Sequence, residues 1–159
     1  MIKGGEEKIQ CWAMPVIDEV VGTDQAHCTG SPVGDPKELN AIAKVFARYR
    51  SPENPILIGS DPNMGHSEPA AGLCSLANVI VACETGLLPP SINFESPTVC
   101  APDLYEGKMK VVTEPTAFTG GYVALNSFVF EGANFHILLK SNVRRGKASY
   151  TFSMMYRSN

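Results

Sequence analysis

The sequence predicts an α/β domain, in which a mostly parallel β-sheet ends in an antiparallel hairpin and carries helices on its faces. Short apolar segments alternate with segments of helical period, which is typical of strands joined by crossover helices. A hairpin signal separates two β-rich runs near the end of the chain. The composition is globular, with 44% hydrophobic and 18% charged residues among 159, which is enough for one domain with a substantial core.

The first predicted elements form a strand–helix–strand unit. Val16–Ala26 reads as a strand and Thr29–Asp35 as a loop. The segment Asp35–Glu38 predicts a helix start, with Asp as the cap, Pro at the first helical position and Glu closing a capping box. Ser51–Pro55 ends this helix. Apolar residues at helical spacing predict that one face is buried: Leu39, Ile42, Ala43, Phe46 and Tyr49.

The next segments predict a second strand–helix unit. Ile56–Gly59 is wholly apolar, as expected of a strand that is covered on both faces. Pro69 begins a second helix that runs to about Glu84 and is apolar on nearly all sides, which indicates a buried helix. Residues 86–107 are rich in Pro, Ser and Asn and predict an extended surface excursion. Met109–Val112 is interpreted as a short edge strand.

The C-terminal part predicts antiparallel pairing. Tyr122–Phe130 and Ala133–Leu139 flank Glu131-Gly132, which is a hairpin signal. Lys147–Tyr156 alternates weakly and indicates a further edge strand. We therefore divide the chain into a lead-in (1–15), the α/β domain (16–142) and a tail or linker (143–159).

Charge and composition exclude several classes of function. The net charge is −3 and no basic stripe is present, which argues against nucleic acid or an anionic membrane as the main partner. No apolar run approaches the roughly 18 residues that would span a bilayer. The first residues are too acidic and interrupted for a secretion signal. The five cysteines contain no CxxC pair, so we expect reduced thiols and a cytoplasmic location.

Two histidines stand out as candidates for catalysis. His27 and His66 each follow an apolar run and lie next to glycines, where an imidazole can point into a pocket. Two imidazoles aimed at one point can polarise a carbonyl oxygen and hold the enolate that forms from it. His66 also precedes a helix N-terminus, where the positive end of the dipole disfavours imidazolium. The sequence therefore predicts a neutral imidazole N–H donor at His66, with His27 as the second candidate donor at the C-terminal end of a strand.

Three ordered motifs carry a family resemblance. They are His27–Ser31 followed by Val33–Asn40 (HCTGS, VGDPKELN), Asp61–Gly72 (DPNMGHSEPAAG) and Asn126–Leu139 (NSFVFEGANFHILL). With these motifs, the chain resembles the C-terminal half of a β-ketoacyl synthase domain. The greatest similarity is to the ketosynthase of animal-type multifunctional fatty acid synthases, with polyketide synthases as relatives.

The resemblance implies a thiolase-like fold of two similar halves, of which this chain would be the second. The first half normally covers the central helix of the second, so we expect the apolar helix over Ala70–Val81 to be incompletely covered in this chain. It implies decarboxylative condensation of malonyl and acyl thioesters in fatty acid biosynthesis, with His27 and His66 binding the malonyl thioester carbonyl. It places a substrate gate at Phe130 and an oxyanion loop at Gly132. The implied partners are acyl carrier protein bearing phosphopantetheine thioesters, the N-terminal ketosynthase half and a second copy in a homodimer. No cofactor or metal is implied.

Several positions depart from the family pattern. None of the five cysteines has the surroundings of the family's nucleophile, so we expect this chain to be inactive by itself. Asp61 stands at a lysine position, and Val129 and Glu131 replace two glycines of the gate loop. These changes motivate an alternative hypothesis, a non-catalytic ketosynthase relic that acts as a binding or scaffold module.

Other residues have simpler interpretations. Cys28 stands at a family glycine position and, with the two histidines, raises a weaker hypothesis of a metal site, although no CxxC or HxxxH pair supports it. His136 lies within a strand and is interpreted as structural. Asp35 and Glu38 are interpreted as helix caps. Asp24 lies in a strand that should be buried, which is costly unless the carboxyl is paired.

Overall fold

The architecture comes from a computed structural model that describes residues 21–60, 65–92, 94–96, 101–128, 134–144 and 147–157. The predicted lead-in and the first part of the predicted strand Val16–Ala26 lie outside these residues. The same holds for the hairpin turn at Glu131-Gly132. All statements below concern the described parts of the chain.

A six-stranded sheet forms the centre of the domain, and two short strands pair separately from it. In chain order the strands are β1 Val21–Ala26, β2 Ile56–Ser60, β3 Leu87–Leu88, β4 Met109–Val111, β5 Thr116–Ala117, β6 Gly121–Phe128, β7 Asn134–Arg144 and β8 Lys147–Arg157. The order in the large sheet is β4-β2-β1-β6-β7-β8, and β3 pairs with β5. The strands β4, β2, β1 and β6 are parallel, while β6, β7 and β8 pair antiparallel. This arrangement confirms the predicted fold class.

Helices cover both faces of the sheet. They are α1 Gly34–Phe46, α2 Ala71–Thr85 and the short α3 Pro102–Tyr105, and a 3-10 turn at Glu68–Ala70 leads into α2. Residues alternate between faces along a strand, so the core is divided into two layers. The α1 layer contains Ala26, Leu39, Ile42, Phe46, Ile56, Ile58, Ala124 and Leu138. The α2 layer contains Val79, Ala82, Cys83, Val123, Leu125, Ile137 and Leu139.

The ends of α1 differ from the prediction. The helix begins at Gly34, so Asp35 lies within its first turn and is not the cap, and Pro36 is its third residue. No side chain caps the helix at Val33. The helix ends at Phe46, and Tyr49 is 65% exposed because it lies beyond the segment that packs on the sheet. The predicted burial of Tyr49 is wrong.

The helix α2 is covered on one side only. Its apolar sequence taken alone predicted a buried helix, whereas the resemblance predicted incomplete cover in this chain, and the structure agrees with the second expectation. One side, which includes Ser75, Val79 and Ala82, packs on the sheet, while Leu73 is 70% exposed and Val81 51% exposed. The described part of the chain supplies a layer for only one side of this helix. An apolar helix is suited to burial on all sides, but its sequence does not show whether the residues that would cover it belong to the same chain.

We expect the exposed side of α2 to promote self-association of the chain, since exposed apolar patches drive association. Replacing Leu73 and Val81 by serine should lower light scattering and the fluorescence of a hydrophobic dye, at a cost in stability within about 0.5 kcal/mol. Val33→Ser and Ile92→Ser, at side chains 64% and 66% exposed elsewhere, are the matched controls. A dilute wild-type monomer that binds no dye would contradict this prediction.

Candidate active site

The two candidate histidines lie side by side at one end of the sheet. His27 directly follows β1, and His66 precedes the 3-10 turn that leads into α2. Their ring centroids are 5.2 Å apart and their planes meet at 79°. The carboxyl ends of parallel strands are where open α/β sheets place their sites. His27 is partly buried and His66 is exposed, so the pair faces outward from the end of the sheet.

Phe128 is a further member of this group that the sequence analysis missed. Its ring lies 5.7 Å from the His27 ring at 90°, an edge-to-face contact. Phe128 is the last residue of β6, which pairs in parallel with β1. The last residues of the two strands therefore lie at the same end of the sheet. The position of Phe128 in the third motif was the signal available in the sequence, whereas the pairing of β6 with β1 is visible only in the structure.

The surroundings of His27 favour a neutral ring. Burial is the main cause that lowers the His27 pKa, and the neighbouring His66 lowers it further. Its Nδ1 atom is buried and has no hydrogen-bond partner among the described residues. A neutral imidazole carries one N–H and can donate a hydrogen bond without bringing a positive charge. A neutral ring at His27 is compatible with the N–H donor role that the resemblance implies for this residue.

Glu38 fixes the backbone at the candidate site. It is 5% exposed, and its two carboxylate oxygens accept hydrogen bonds from the backbone N–H of His27 at 2.8 Å and of Cys28 at 2.9 Å. Burial raises the Glu38 pKa to about 7, although these hydrogen bonds oppose the increase. The interpretation of Glu38 as a helix cap is therefore wrong, because its side chain crosses from α1 to the turn after β1.

Asp35 acts on the same loop. Its carboxylate accepts hydrogen bonds from the backbone N–H of Gly30 at 2.9 Å and of Ser31 at 3.1 Å. Ser31 Oγ in turn accepts a hydrogen bond from the Gly34 N–H at 3.1 Å. The first turn of α1 therefore holds the segment between His27 and the helix, and these contacts replace the predicted cap at Asp35.

Cys28 occupies a backbone conformation that favours glycine, with φ of +23°. The resemblance implies a glycine at this position, and a glycine would adopt this φ without the strain that a cysteine side chain causes. Its half-buried thiol lines a cleft of about 300 Å³, and burial and the nearby carboxyls of Glu38 and Asp35 raise the Cys28 pKa well above its ordinary value. A thiol in this state is a weak nucleophile, since the thiolate is the reactive form.

A row of hydrogen-bonded polar side chains crosses three strands on the α1 side of the sheet. Asn126 Nδ2 on β6 donates to Asp24 Oδ1 on β1 at 3.3 Å. Asn126 Oδ1 lies 2.7 Å from His136 Nδ1 on β7, which must carry the proton because an amide oxygen only accepts. The His136 ring stacks on Phe46 at 6.3 Å, and burial lowers the His136 pKa to about 4. These contacts agree with the structural role predicted for His136.

The structure does not test the roles predicted for the remaining site residues. Phe130 and Gly132 lie outside the described residues, and so do Asp61, Val129 and Glu131, which motivated the relic hypothesis. Across the described segments, no three His, Cys, Asp or Glu side chains are grouped to hold a metal ion, which leaves the weaker metal hypothesis without geometric support. None of the helices in those segments has the length and hydropathy needed to cross a membrane.

We expect Phe128→Ala to raise the His27 pKa toward the ordinary histidine value. The aromatic ring keeps water from the imidazole, and burial is the largest cause that lowers this pKa. The change can be followed by NMR titration of the imidazole protons. His136 serves as an internal control, since its pKa near 4 depends on a separate buried site. A His27 pKa that stays unchanged in the variant would contradict the role assigned to Phe128.

The sheet topology, with helices on both faces, defines a domain of the thiolase-like fold class. The family model described as the β-ketoacyl synthase C-terminal domain matches residues 12–95, which is more than half of the chain. The model described as the ketoacyl-synthetase C-terminal extension matches residues 97–154. The chain therefore belongs to the β-ketoacyl synthase family, as a C-terminal ketosynthase domain.

The similar curated proteins are fungal synthases. A highly reducing polyketide synthase of Emericella nidulans is 46% identical over 123 residues, which are 74% of this chain and 5% of that protein. Prosolanapyrone synthase of Alternaria solani is 40% identical over 121 residues, which are 72% of this chain and 4% of that protein. The chain therefore spans about one twentieth of the length of these relatives.

Solved ketosynthases share the fold. The ketosynthase from module 1 of the bacillaene synthase of Bacillus amyloliquefaciens is 30% identical, with a TM-score of 0.70 over 79% of this chain and 24% of its own. The oxazolomycin ketosynthase domain of Streptomyces albus is 26% identical, with a TM-score of 0.69 over 79% of this chain and 23% of its own. The chain thus spans about a quarter of these solved chains.

Proposed function

We propose that this chain supplies the enolate-stabilising half of a β-ketoacyl synthase active site. The observation that carries the proposal is the convergence of His27 and His66, with ring centroids 5.2 Å apart, at the carboxyl end of β1. Two N–H donors at this separation can bind a single thioester carbonyl oxygen. Membership of the ketosynthase family supplies the reaction in which such a pair is useful.

The chemistry assigned to the pair is stabilisation of developing negative charge. In a malonyl thioester, the bond between the α-carbon and the carboxylate breaks, carbon dioxide leaves, and the electron pair passes into the thioester carbonyl as an enolate. N–H donors held in place by the protein stabilise that oxygen more in the transition state than in the substrate. The neutral state favoured for His27 suits this role, because an imidazolium ion would protonate the enolate and end the reaction.

Carbon–carbon bond formation also requires an acyl group held as a thioester. The α-carbon of the enolate attacks the acyl carbonyl, and the thiolate that carried the acyl group leaves. We assign that thiolate to a cysteine of the N-terminal ketosynthase half, because Cys28, at the candidate site, is held as a thiol by burial and nearby carboxyls. The chain by itself should not condense substrates.

We favour a polyketide synthase over a fatty acid synthase as the setting. The sequence motifs suggested an animal-type fatty acid synthase, and that assignment stays a prediction. The similar curated proteins named above are a polyketide synthase and prosolanapyrone synthase, at 46% and 40% identity, which supports the polyketide setting. The proposal includes malonyl and acyl thioesters on acyl carrier protein, a homodimeric complete ketosynthase and a cytoplasmic location.

The proposal can be tested by reconstitution. The chain would be co-expressed with the N-terminal half of a fungal ketosynthase, and release of labelled carbon dioxide from malonyl-acyl carrier protein would be measured. We expect turnover in the assembled complex, none from either half, and a loss with His27→Ala. A complex that assembles but releases no carbon dioxide would favour the scaffold alternative over the enzyme.

A further inference from the structure

The first turn of α2 lies directly against the end of β6. The helix packs mainly on this strand, and the residues that face the sheet near its N-terminus are small: Ala71 is 1% exposed and Ser75 is fully buried. The larger Val79 and Cys83 follow toward the other end of the helix. Because the distance between packed elements depends on the side chains between them, α2 can approach the sheet most closely at its N-terminus.

Gly72 occupies a position in this turn where a side chain has no room. A Cβ atom at this residue would lie 3.2 Å from both the Cβ and the Oγ of Ser127 on β6. Carbon atoms in favourable contact lie about 3.5–4.0 Å apart. Gly72 is inside a helix and does not have a positive φ, so the backbone does not require glycine, which is normally unfavourable there. The close approach of α2 to β6 therefore accounts for the glycine.

An alanine at position 72 would displace the helix. The Ser127 hydroxyl can rotate away from an added methyl group, but the Ser127 Cβ is fixed by the backbone of β6. The two elements would therefore have to separate by a few tenths of an ångström. Close-packed protein interiors transmit such a displacement to the groups around it. It would reach the segment that leads into the first turn of α2.

His66 lies in that segment. It is six residues before Gly72, and a 3-10 turn joins the two, in which the Ala70 N–H donates to the Ser67 carbonyl at 3.0 Å. The Ser67 hydroxyl also donates to Cys74 Sγ on α2 at 3.4 Å. These hydrogen bonds connect the turn to the helix, so we expect His66 to follow a movement of α2.

The other imidazole contacts the end of β6. Phe128 follows Ser127 on this strand, and its ring lies 5.7 Å from that of His27. The His27 ring lies in turn 5.2 Å from that of His66. The contact between Gly72 and Ser127 thus joins the helix that carries one histidine to the strand that contacts the other.

We propose that Gly72 is a positioning residue for the histidine pair, because its missing side chain lets α2 lie close enough to β6 to hold the His66 ring against that of His27. The second sequence motif ends at Gly72, and Ser127 belongs to the third, so the two motifs meet at this contact. The catalytic consequence rests on the proposed function, whereas the effect on ring position depends on the geometry alone.

Gly72→Ala and Gly72→Val in the full 159-residue chain test the position of the ring. We expect the nuclear Overhauser effect between the ring protons of His27 and His66 to weaken in the alanine variant and further in the valine variant. The His27 pKa should rise toward its ordinary value, because His66 contributes to lowering it. Gly22→Ala is the matched control and should change neither signal, since no atom of the described residues lies within 4 Å of a Cβ added there.

Substitutions of Ser127 show whether lack of space is the cause. Ser127→Gly removes both atoms that an alanine at position 72 would meet, so adding it to Gly72→Ala should restore the wild-type ring contact. Adding Ser127→Ala, which retains the Cβ, should restore the contact only in part. Ser127→Val alone adds bulk from the strand, where a β-branched residue suits the backbone, and should also weaken the ring contact. This last variant does not depend on the folding of a Gly72 variant.

Activity provides a second measurement. In the reconstituted two-half enzyme, Gly72→Ala should lower kcat for decarboxylation by about 3- to 10-fold with little change in KM, since a misplacement of about 1 Å costs about 100-fold. A substitution that only weakened packing would lower the urea midpoint and leave kcat and the ring contact unchanged. A wild-type complex without turnover would contradict the proposed function, and the ring contact would still decide the role of Gly72.

Two results would overturn the inference. One is a contact between the His27 and His66 rings that keeps its wild-type strength in folded Gly72→Val. The other is a double variant, Gly72→Ala with Ser127→Gly, in which the ring contact stays as weak as in Gly72→Ala, because the displacement would then not arise from Ser127.

Discussion

Replacing His66 by alanine is expected to lower malonyl decarboxylation by the reconstituted two-half enzyme by about 100- to 1,000-fold, which is the usual cost of removing one donor from an oxyanion site. His66 is exposed and its ring lies 5.2 Å from that of His27, so its removal takes away a donor without opening the core. The thermal midpoint should change little, since exposed substitutions of this kind cost within about 0.5 kcal/mol.

Two comparisons make the His66 experiment specific. His66→Gln retains an N–H donor at the same position, so its rate should lie between those of wild type and His66→Ala. The double variant with His27→Ala should lose less than the product of the two single effects, because the residues act on one oxygen. Decarboxylation that survives His66→Ala at the wild-type rate would remove His66 from the site.

The fold class could be predicted because short apolar segments alternate with a segment of helical period and a hairpin signal separates the last β-rich runs. Ile56–Gly59 had to be a doubly covered strand, and the alternation of Lys147–Tyr156 correctly indicated an edge strand at β8. Hydropathy alone predicted a buried α2, and only the resemblance to one half of a two-half fold indicated that one side of this helix would lack a covering layer. Tyr49 was misread because a helical spacing continues in the sequence beyond the residue at which α1 ends.

The candidate site was only partly accessible to sequence reasoning. His27 and His66 stand in motifs that can be read from the chain, and strand order brings their rings together. The partners of Glu38 could not be predicted, because the pattern of Asp35–Glu38 is that of a local helix cap and the actual hydrogen bonds reach back to the turn after β1. Local patterns predict local contacts, and a long-range bond of this kind needs the fold.

Asn126→Leu is expected to destabilise the domain by about 2–6 kcal/mol, since it leaves two buried polar groups without partners at roughly 1–3 kcal/mol each. Asn126 is 2% exposed and is the link through which β6 joins Asp24 on β1 and His136 on β7. The loss should be measured by urea unfolding of wild type and variant near pH 7. Asn54→Ala, at an exposed side chain that pairs with Arg50, is the surface control and should cost much less.

A triple variant at Asn126, Asp24 and His136 shows whether Asn126→Leu destabilises the domain through lost hydrogen bonds or through poor packing of the leucine. If Asn126→Leu is harmful because Asp24 and His136 lose their hydrogen bonds, replacing those two residues by apolar ones as well should recover part of the stability. A leucine that merely fits badly would remain harmful in the triple variant. An Asn126→Leu variant as stable as the wild type would mean that this row of polar side chains contributes nothing to the stability of the domain. The sheet beneath His27 would then be held by its backbone hydrogen bonds and apolar packing, without a contribution from these polar side chains.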